Sequence, residues 1–209
     1  MAVVAEVRSV IDPVIRRESP YSEGVAGLIS DLDSYQLGLY PEESTFLMPI
    51  DKLAASNVRF FVARSEHSAV GIGALVLEKP DDEPEYGELK RLFTTPEARG
   101  RGIARGIIRR VIREAKGAGM SKLRLETGDE QPEALALYES EGFRYMEEPF
   151  GIYPADDPHS VCMELVLART VFGRVYNQLA VRSSELAGDV GDVSRFLGSS
   201  ASGGSGSIG

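Results

Sequence analysis

The segment ARGRGIARGIIRRVIREA, residues 98–115, constrains the chain more than any other. Six arginines and no acid lie from Arg99 to Arg113, in a chain whose net charge is −9 and whose pI is about 4.9. Gly100, Gly102 and Gly106 crowd its start. Glycine is costly inside a helix, so this clustering needs a reason. Ile103, Ile107, Ile108, Val111, Ile112 and Ala115 then recur at helical spacing and make one apolar face. The GAG at 117–119 stops that helix. The stretch before it, GELKRLFT at 87–94, reads as a strand. Strand, glycine-rich turn and helix together aim backbone N–H groups and the positive end of a helix at one point. Residues 99–104 are therefore an anion site suited to a phosphate, with arginines adding charge-assisted bonds. Arg109, Arg110 and Arg113 read instead as a solvated basic face.

The phosphate ligand is narrowed by what is missing. A P-loop needs Lys-Ser/Thr after its second glycine, and none follows here. Gly100, Gly102 and Gly106 fit a loose dinucleotide fingerprint, with Glu126 where a ribose-binding acid would stand. Against it, TTPEA separates the strand from the first glycine, and the chain after Glu126 reads as antiparallel strands. A nucleotide-dependent oxidoreductase stays open on this pattern, as does a binding module without turnover.

The rest of the chain supplies the frame. VIRRES (14–19) reads as a strand. From Ser22, as N-cap, Val25, Leu28, Ile29, Leu32 and Tyr35 follow helical spacing until Pro41. PIDKLAAS is a short helical turn, and RFFVARSEHSAVGIGALVLE is a β-hairpin followed by an acidic loop. KLRLET (122–127) is a strand. QPEALALYESEGF is a helix with Pro132 near its first position, ending at Gly142. FRYMEE and SVCMELVL are two further strands. Residues 168–187 fit an appended amphipathic helix, and 188–209 a flexible Gly/Ser-rich tail without a catalytic role. One cysteine and two histidines make a metal site unexpected, and Cys162 reads as a buried, inert thiol. The acidic balance speaks against nucleic-acid and anionic-membrane binding and suits a cationic substrate, though it also serves solubility. No apolar run is long enough for a membrane span, and no secretory signal is seen, so a cytoplasmic location is expected.

RGRGIA fits Arg/Gln-x-x-Gly-x-Gly/Ala, and in this context the chain resembles the GNAT family of N-acetyltransferases. GELKRLFTTPEARGRGIA is similar to the family's fourth strand and acyl-CoA pyrophosphate loop. ETGDEQPEALALYESEGFRYMEE is similar to its fifth strand, the helix after it and its sixth strand, including LYE-x-x-GF. The resemblance covers about residues 14–167 in element order and implies a domain over 1–167, and its detail is similar to a bacterial-type subgroup of acetyltransferases. It implies an α/β (α+β) fold: a mixed central sheet of about seven strands, the fourth and fifth splayed apart, flanked by helices.

It also implies a chemistry: transfer of an acetyl group from acetyl-CoA to a primary amine by direct attack, with no metal. Backbone groups of Leu92, Phe93 and Thr94 would pair with the pantetheine arm. Arg99, Gly100, Arg101, Gly102, Ile103 and Ala104 would hold the pyrophosphate. A backbone N–H near Leu92 would polarise the acyl carbonyl. Tyr138, the tyrosine of LYE-x-x-GF, would protonate the departing thiolate. Glu88 is the candidate base, because a strand covered on both faces should be apolar, yet this one carries Glu88, Lys90 and Arg91. Such charges call for a site or for a bulge. Tyr35, Tyr40, Phe150 and Tyr153 are the expected acceptor-binding residues, with Asp33 as a cation partner. The expected partners are a small-molecule or peptide amine and, as an assembly, a homodimer.

Overall fold

The computed structural model describes residues 13–167 except residue 82. The segments 168–187 and 188–209 lie outside the described residues. Seven strands are present: β1 (Val14–Arg17), β2 (Val58–Ser65), β3 (Ser68–Glu78), β4 (Tyr86–Thr94), β5 (Lys122–Gly128), β6 (Arg144–Tyr145) and β7 (Ser160–Val166). The helices are α1 (Val25–Leu39), α2 (Ile50–Leu53), α3 (Ile103–Gly117) and α4 (Pro132–Ser140). The sheet order is β1-β2-β3-β4-β5-β7-β6. Every neighbouring pair is antiparallel except β4–β5. The expected mixed seven-stranded sheet is therefore present. A parallel dinucleotide-binding sheet is not.

Strand alternation divides the core between the two faces. Phe60, Val62, Ile72, Ala74, Val76 and Phe93 pack under Val25, Leu28, Ile29 and Leu32 of α1 and Leu53 of α2. On the other face Phe61, Leu75, Leu89, Leu123, Leu125 and Met163 pack under α3 and α4, meeting Ile103, Ile107, Ile108, Val111 and Ala115. The periodic residues of α3 are thus its buried stripe, and each fully buried isoleucine contributes about 1.5–3 kcal/mol. Of that face only Ile112 stays partly exposed.

Several local expectations shift. Helix α1 is capped by Gly24 in the left-handed region, φ +77°, rather than by Ser22, whose carbonyl accepts the Val25 N–H at 3.1 Å. The first strand stops at Arg17, and FRYMEE pairs over two residues only. Gly106 is not part of a phosphate turn: it lies within α3, where a Cβ would stand 2.7 Å from Ile15 Cδ1.

Glycines in β3 decide how closely α3 approaches. A Cβ on Gly71 would meet Ile103 Cγ2 at 2.9 Å, and one on Gly73 would meet Ile107 Cγ2 at 2.5 Å. The helix sits low on the sheet there, which sets the position of its N-terminus beside the end of β4. Gly73→Ala should therefore lower the unfolding free energy by about 1–3 kcal/mol, the usual cost of overpacking. Gly117→Ala, with open space around the added methyl, should change it by less than about 1 kcal/mol. Urea unfolding of the two variants checks both values.

Candidate active site

The site begins where two strands part. β5 is held by β7 along its whole length, Lys122 to Gly128, and β4 is held by β3 from Tyr86 to Thr94. Between them β4 and β5 pair only at Gly87–Leu123 and Glu88–Arg124. Beyond Glu88 the backbone of β4 has no β5 partner, so Leu92, Phe93 and Thr94 present an open strand edge inside the molecule. Such an edge is a template for an extended ligand. β4 also carries a bulge: Phe93 faces Ile72 and Lys90 faces Ala74, leaving Arg91 and Leu92 opposite Gly73. Arg91 adopts φ +56° there. The charges on β4 thus accompany a bulge, one of the two features they call for.

At the end of β4 the chain makes a short turn, Pro96–Ala98, and enters the glycine loop. Gly100 (φ +73°) and Gly102 (φ +75°) are both left-handed, and a Cβ on either would meet nothing within 4 Å. Their role is conformational, and the space before them is open. Gly102 caps α3 without a side-chain cap, so the first N–H groups of the helix point out of the loop unclaimed by a capping side chain. The Arg99 guanidinium lies 6.0 Å from the Tyr35 ring centre. Further along, Arg105 and Arg109 both bind Glu141 after α4, each with a 2.8 Å contact, and Arg110 binds Glu114 at 2.9 Å. Arg105 and Arg109 thus tie α3 to the turn after α4 and Arg110 pairs within the helix, while Arg109 and Arg113 stay exposed to solvent, as expected.

The cleft between β4 and β5 holds ≈ 60 Å³ and is lined by Leu32 and Met48, by Glu126 and Tyr138, and by Phe46 and Tyr153, whose rings meet edge to face at 5.0 Å. Tyr138 reaches it from α4, where its ring also packs on Phe143 at 5.9 Å. Burial, and then the charge of Glu126, push the Tyr138 hydroxyl well above the usual phenol range. Glu88 is buried, and one of its oxygens accepts two hydrogen bonds, from Tyr153 Oη at 2.5 Å and from Lys90 Nζ at 2.9 Å. Lys90 also contacts the Tyr153 hydroxyl. Glu88 is therefore at the centre of a closed side-chain network.

Of the four aromatic residues expected to bind the acceptor, only Tyr153 lines the cleft. Phe150 stands behind it, 5.1 Å ring to ring, against Tyr86. Tyr40 is buried over Gly128, and its hydroxyl accepts the Glu130 N–H at 3.0 Å. Tyr35 lies on an exposed part of α1. Asp33 already has a cation, the Arg91 guanidinium. Cys162 is buried, and burial raises its thiol pKa, as an inert side chain requires.

Sequence reasoning passed over Glu126 for this cleft. It stands on β5 past the last residue paired with β4, and it lines the opening. Burial pushes its carboxyl up to about 7; the Ser160 hydroxyl and the charge of Lys90 oppose this, and Asp157 and Glu88 act with it. The available signal was a lone acid in the apolar strand KLRLETG. A wider concavity, ≈ 580 Å³, lies at the β6–β7 edge, where Arg124 and Lys122 are both paired with Glu164. No strand parts there. Among the described residues no group of side chains is arranged to hold a metal, and no helix is long and apolar enough to cross a membrane.

Known proteins are similar to this chain in sequence and fold. The acetyltransferase (GNAT) family matches residues 26–143. The IAA acetyltransferase of Azospirillum brasilense is 45% identical over 150 residues, which cover 72% of this chain and 95% of that protein. The crystal structure of a Klebsiella pneumoniae protein assigned as an acyl-CoA N-acyltransferase superposes with a TM-score of 0.60 at 31% identity, over 74% of this chain and 97% of that one. A spermidine N-acetyltransferase from Vibrio cholerae, solved with CoA and spermine, shares the fold at a TM-score of 0.54 and 21% identity, over 76% of this chain and 97% of that one. The chain belongs to the acetyltransferase (GNAT) family, and with it to the acetyl-transferring enzymes.

The raised carboxyl of Glu126 has a consequence for stability. Its folded value of about 7 lies above its ordinary 4.5, so folding favours the neutral form. That stabilisation is complete below pH 4.5 and is lost as pH rises through about 7. Glu126→Gln should match the wild type near pH 4.5. Above pH 7 it should be the more stable protein, by up to about 3 kcal/mol. Urea midpoints of the two proteins across this pH range measure the gap.

Proposed function

We propose that the cleft between β4 and β5 binds acetyl-CoA and transfers its acetyl group to a primary amine by direct attack. The observation that carries this reading is the parting of β4 from β5 after Glu88, next to a loop of left-handed glycines. The open edge at Leu92, Phe93 and Thr94 suits the amide groups of a pantetheine arm. The loop Arg99–Ala104 suits a pyrophosphate, through backbone N–H groups and the arginines. The backbone N–H near Leu92 serves the developing oxyanion. The acceptor amine enters beside α1, next to the packed rings of Phe46 and Tyr153.

The protons then balance. An alkylammonium must lose one proton before it can attack, and we assign that proton to Glu126. Glu88 is less suited, since one of its oxygens already takes two donors. A base with a pKa of about 7 matches the working pH, whereas an ordinary carboxylate is a weak base there. Attack forms the C–N bond and the collapse breaks the C–S bond. Tyr138 gives its proton to the leaving sulfur, and the second proton released by nitrogen restores the tyrosine. The net products are the amide, free CoA and one proton.

Two experiments test this reading. Calorimetry should show acetyl-CoA binding that weakens with added salt, and Gly102→Asp should abolish it, because the substitution brings a carboxylate and a strained left-handed backbone to the phosphate position. Unchanged affinity in that variant removes the loop from the site. A panel of amines (spermidine, tyramine, L-lysine and a short peptide) with acetyl-CoA, read by thiol release, should then find an acceptor.

With the best acceptor of that panel, Tyr138→Phe should lower kcat by about 10²–10⁴-fold at nearly constant acetyl-CoA affinity, the usual size of acid assistance. The wild-type kcat/KM should rise with pH through about 7. Glu126→Gln should lose that limb and recover only towards the pKa of the amine. A limb that persists in Glu126→Gln and vanishes in Glu88→Gln returns the base to Glu88.

A further inference from the structure

Arg91 presents a contradiction that a close look resolves. It occupies a left-handed backbone position at φ +56°, one that glycine adopts freely and an arginine does not. A chain that keeps arginine at such a position is using the side chain. That side chain is 4% exposed. Its Nε donates to the Met48 carbonyl at 3.0 Å, a second guanidinium nitrogen donates to the same oxygen, and a third binds the Asp33 carboxylate. Asp33 belongs to α1, and Met48 to the segment between α1 and α2. These two elements supply Leu32, Gln36, Phe46 and Met48 to the cleft. Opposite Arg91, across the bulge, lies Gly73.

We infer that Arg91 is a positioning residue that bolts the acceptor-side wall of the cleft, α1 and residues 46–48, to the bulge of β4. The inference rests on the acetyltransfer reading above and adds the part that sets the acceptor against the thioester. The bulge turns Arg91 toward α1, onto the side from which Lys90 also faces the cleft. The planar fork then makes three hydrogen bonds to two acceptor atoms on two separate segments, a geometry that lysine's single ammonium lacks. The backbone of β4, where the acyl group is proposed to lie, and the wall that the amine meets are thereby held by one side chain. The pyrophosphate loop makes no contact with it among the bonds described. Acceptor binding and acetyl-CoA binding should therefore separate when the bolt is removed.

Arg91→Gly is the informative variant. Glycine keeps the left-handed bulge without strain and removes the buried side chain that carries the guanidinium. We expect its acceptor KM to rise by about 10- to 100-fold, the cost of a small misplacement at a reacting centre, while acetyl-CoA affinity by calorimetry stays within a few-fold. Added guanidinium ion at millimolar concentration should restore part of the lost acceptor KM without raising the melting temperature. Hydrogen exchange on the full chain should quicken at residues 29–39 and 45–49 and stay unchanged at 103–117. Arg91→Lys should behave as the glycine variant does, because a charge without the planar fork does not reproduce the three bonds to Met48 and Asp33. If Arg91→Gly does not fold, Asp33→Asn is read by the same measurements.

An unchanged acceptor KM in a folded variant overturns the inference, and so does a parallel loss of acetyl-CoA affinity. A wild-type protein that releases no thiol with any amine of the panel overturns the acetyltransfer reading itself and the inference with it. The two failures are thus distinct.

Discussion

Two strands that pair over two residues and then separate organise the whole active region. The separation is stable because each strand is held from its far side, β4 by β3 and β5 by β7. Neither can close on the other without abandoning a full ladder. The cost is an open row of backbone donors and acceptors in the interior, which proteins rarely tolerate. An extended ligand that pairs with the row removes that cost. The bulge at Arg91 and the side chains of Lys90, Glu126 and Tyr138 occupy the region where a continued β4–β5 ladder would run.

Charge is distributed around this opening in an ordered way. Glu88, Lys90 and Tyr153 satisfy one another, and Arg91 is satisfied by Asp33 and a carbonyl. Buried ions held in such pairs contribute little net stability, but removing one partner is costly. Glu126 differs: burial dominates its environment, and its carboxyl is pushed up to about 7. An acid in that position destabilises the protein once ionised and is well matched to taking a proton from an amine. Stability and the proposed activity thus draw on the same carboxylate in opposite directions, a common pattern at active sites.

The arginine-rich helix serves two purposes along its length. Its first turn follows two left-handed glycines and faces open space, which suits an anion. Its middle binds carboxylates on α3 itself and after α4, and Arg110 additionally lies 5.4 Å from the Phe61 ring centre. The low seating of α3 on Gly71 and Gly73 brings these two ends into register with the sheet. The position of the glycine loop and the packing of α3 are therefore set by the same pair of β3 glycines.

Much of this was legible in the amino-acid order. The apolar stripe of α3, Pro132 at the start of α4, the β2–β3 hairpin and the glycine loop are local patterns, and local patterns are written in consecutive residues. The left-handed need of Gly100 and Gly102 could be anticipated, because few other residues accept it. Charges on β4 signalled a site or a bulge. What could not be read is every choice that depends on neighbours distant in the chain. Glu88 and Glu126 are equivalent on paper, each an acid in an apolar strand, and only the packed structure gives Glu88 two donors and leaves Glu126 facing the cleft. Tyr40, Phe150 and Tyr153 are all aromatics near the expected acceptor region, yet one lines it and the others pack behind it or under β5. Gly24 rather than Ser22 caps α1, since the turn geometry set by the preceding loop decides the cap. Asp33 and Arg91 are separated by most of the acceptor wall and meet only when α1 is laid across β4. The sequence by itself determined which elements form and where a glycine turn precedes α3, because those signals lie in consecutive residues. The tertiary structure decided which side chains share the cleft and in what charge state, because burial and pairing are properties of a neighbourhood and no single segment contains one.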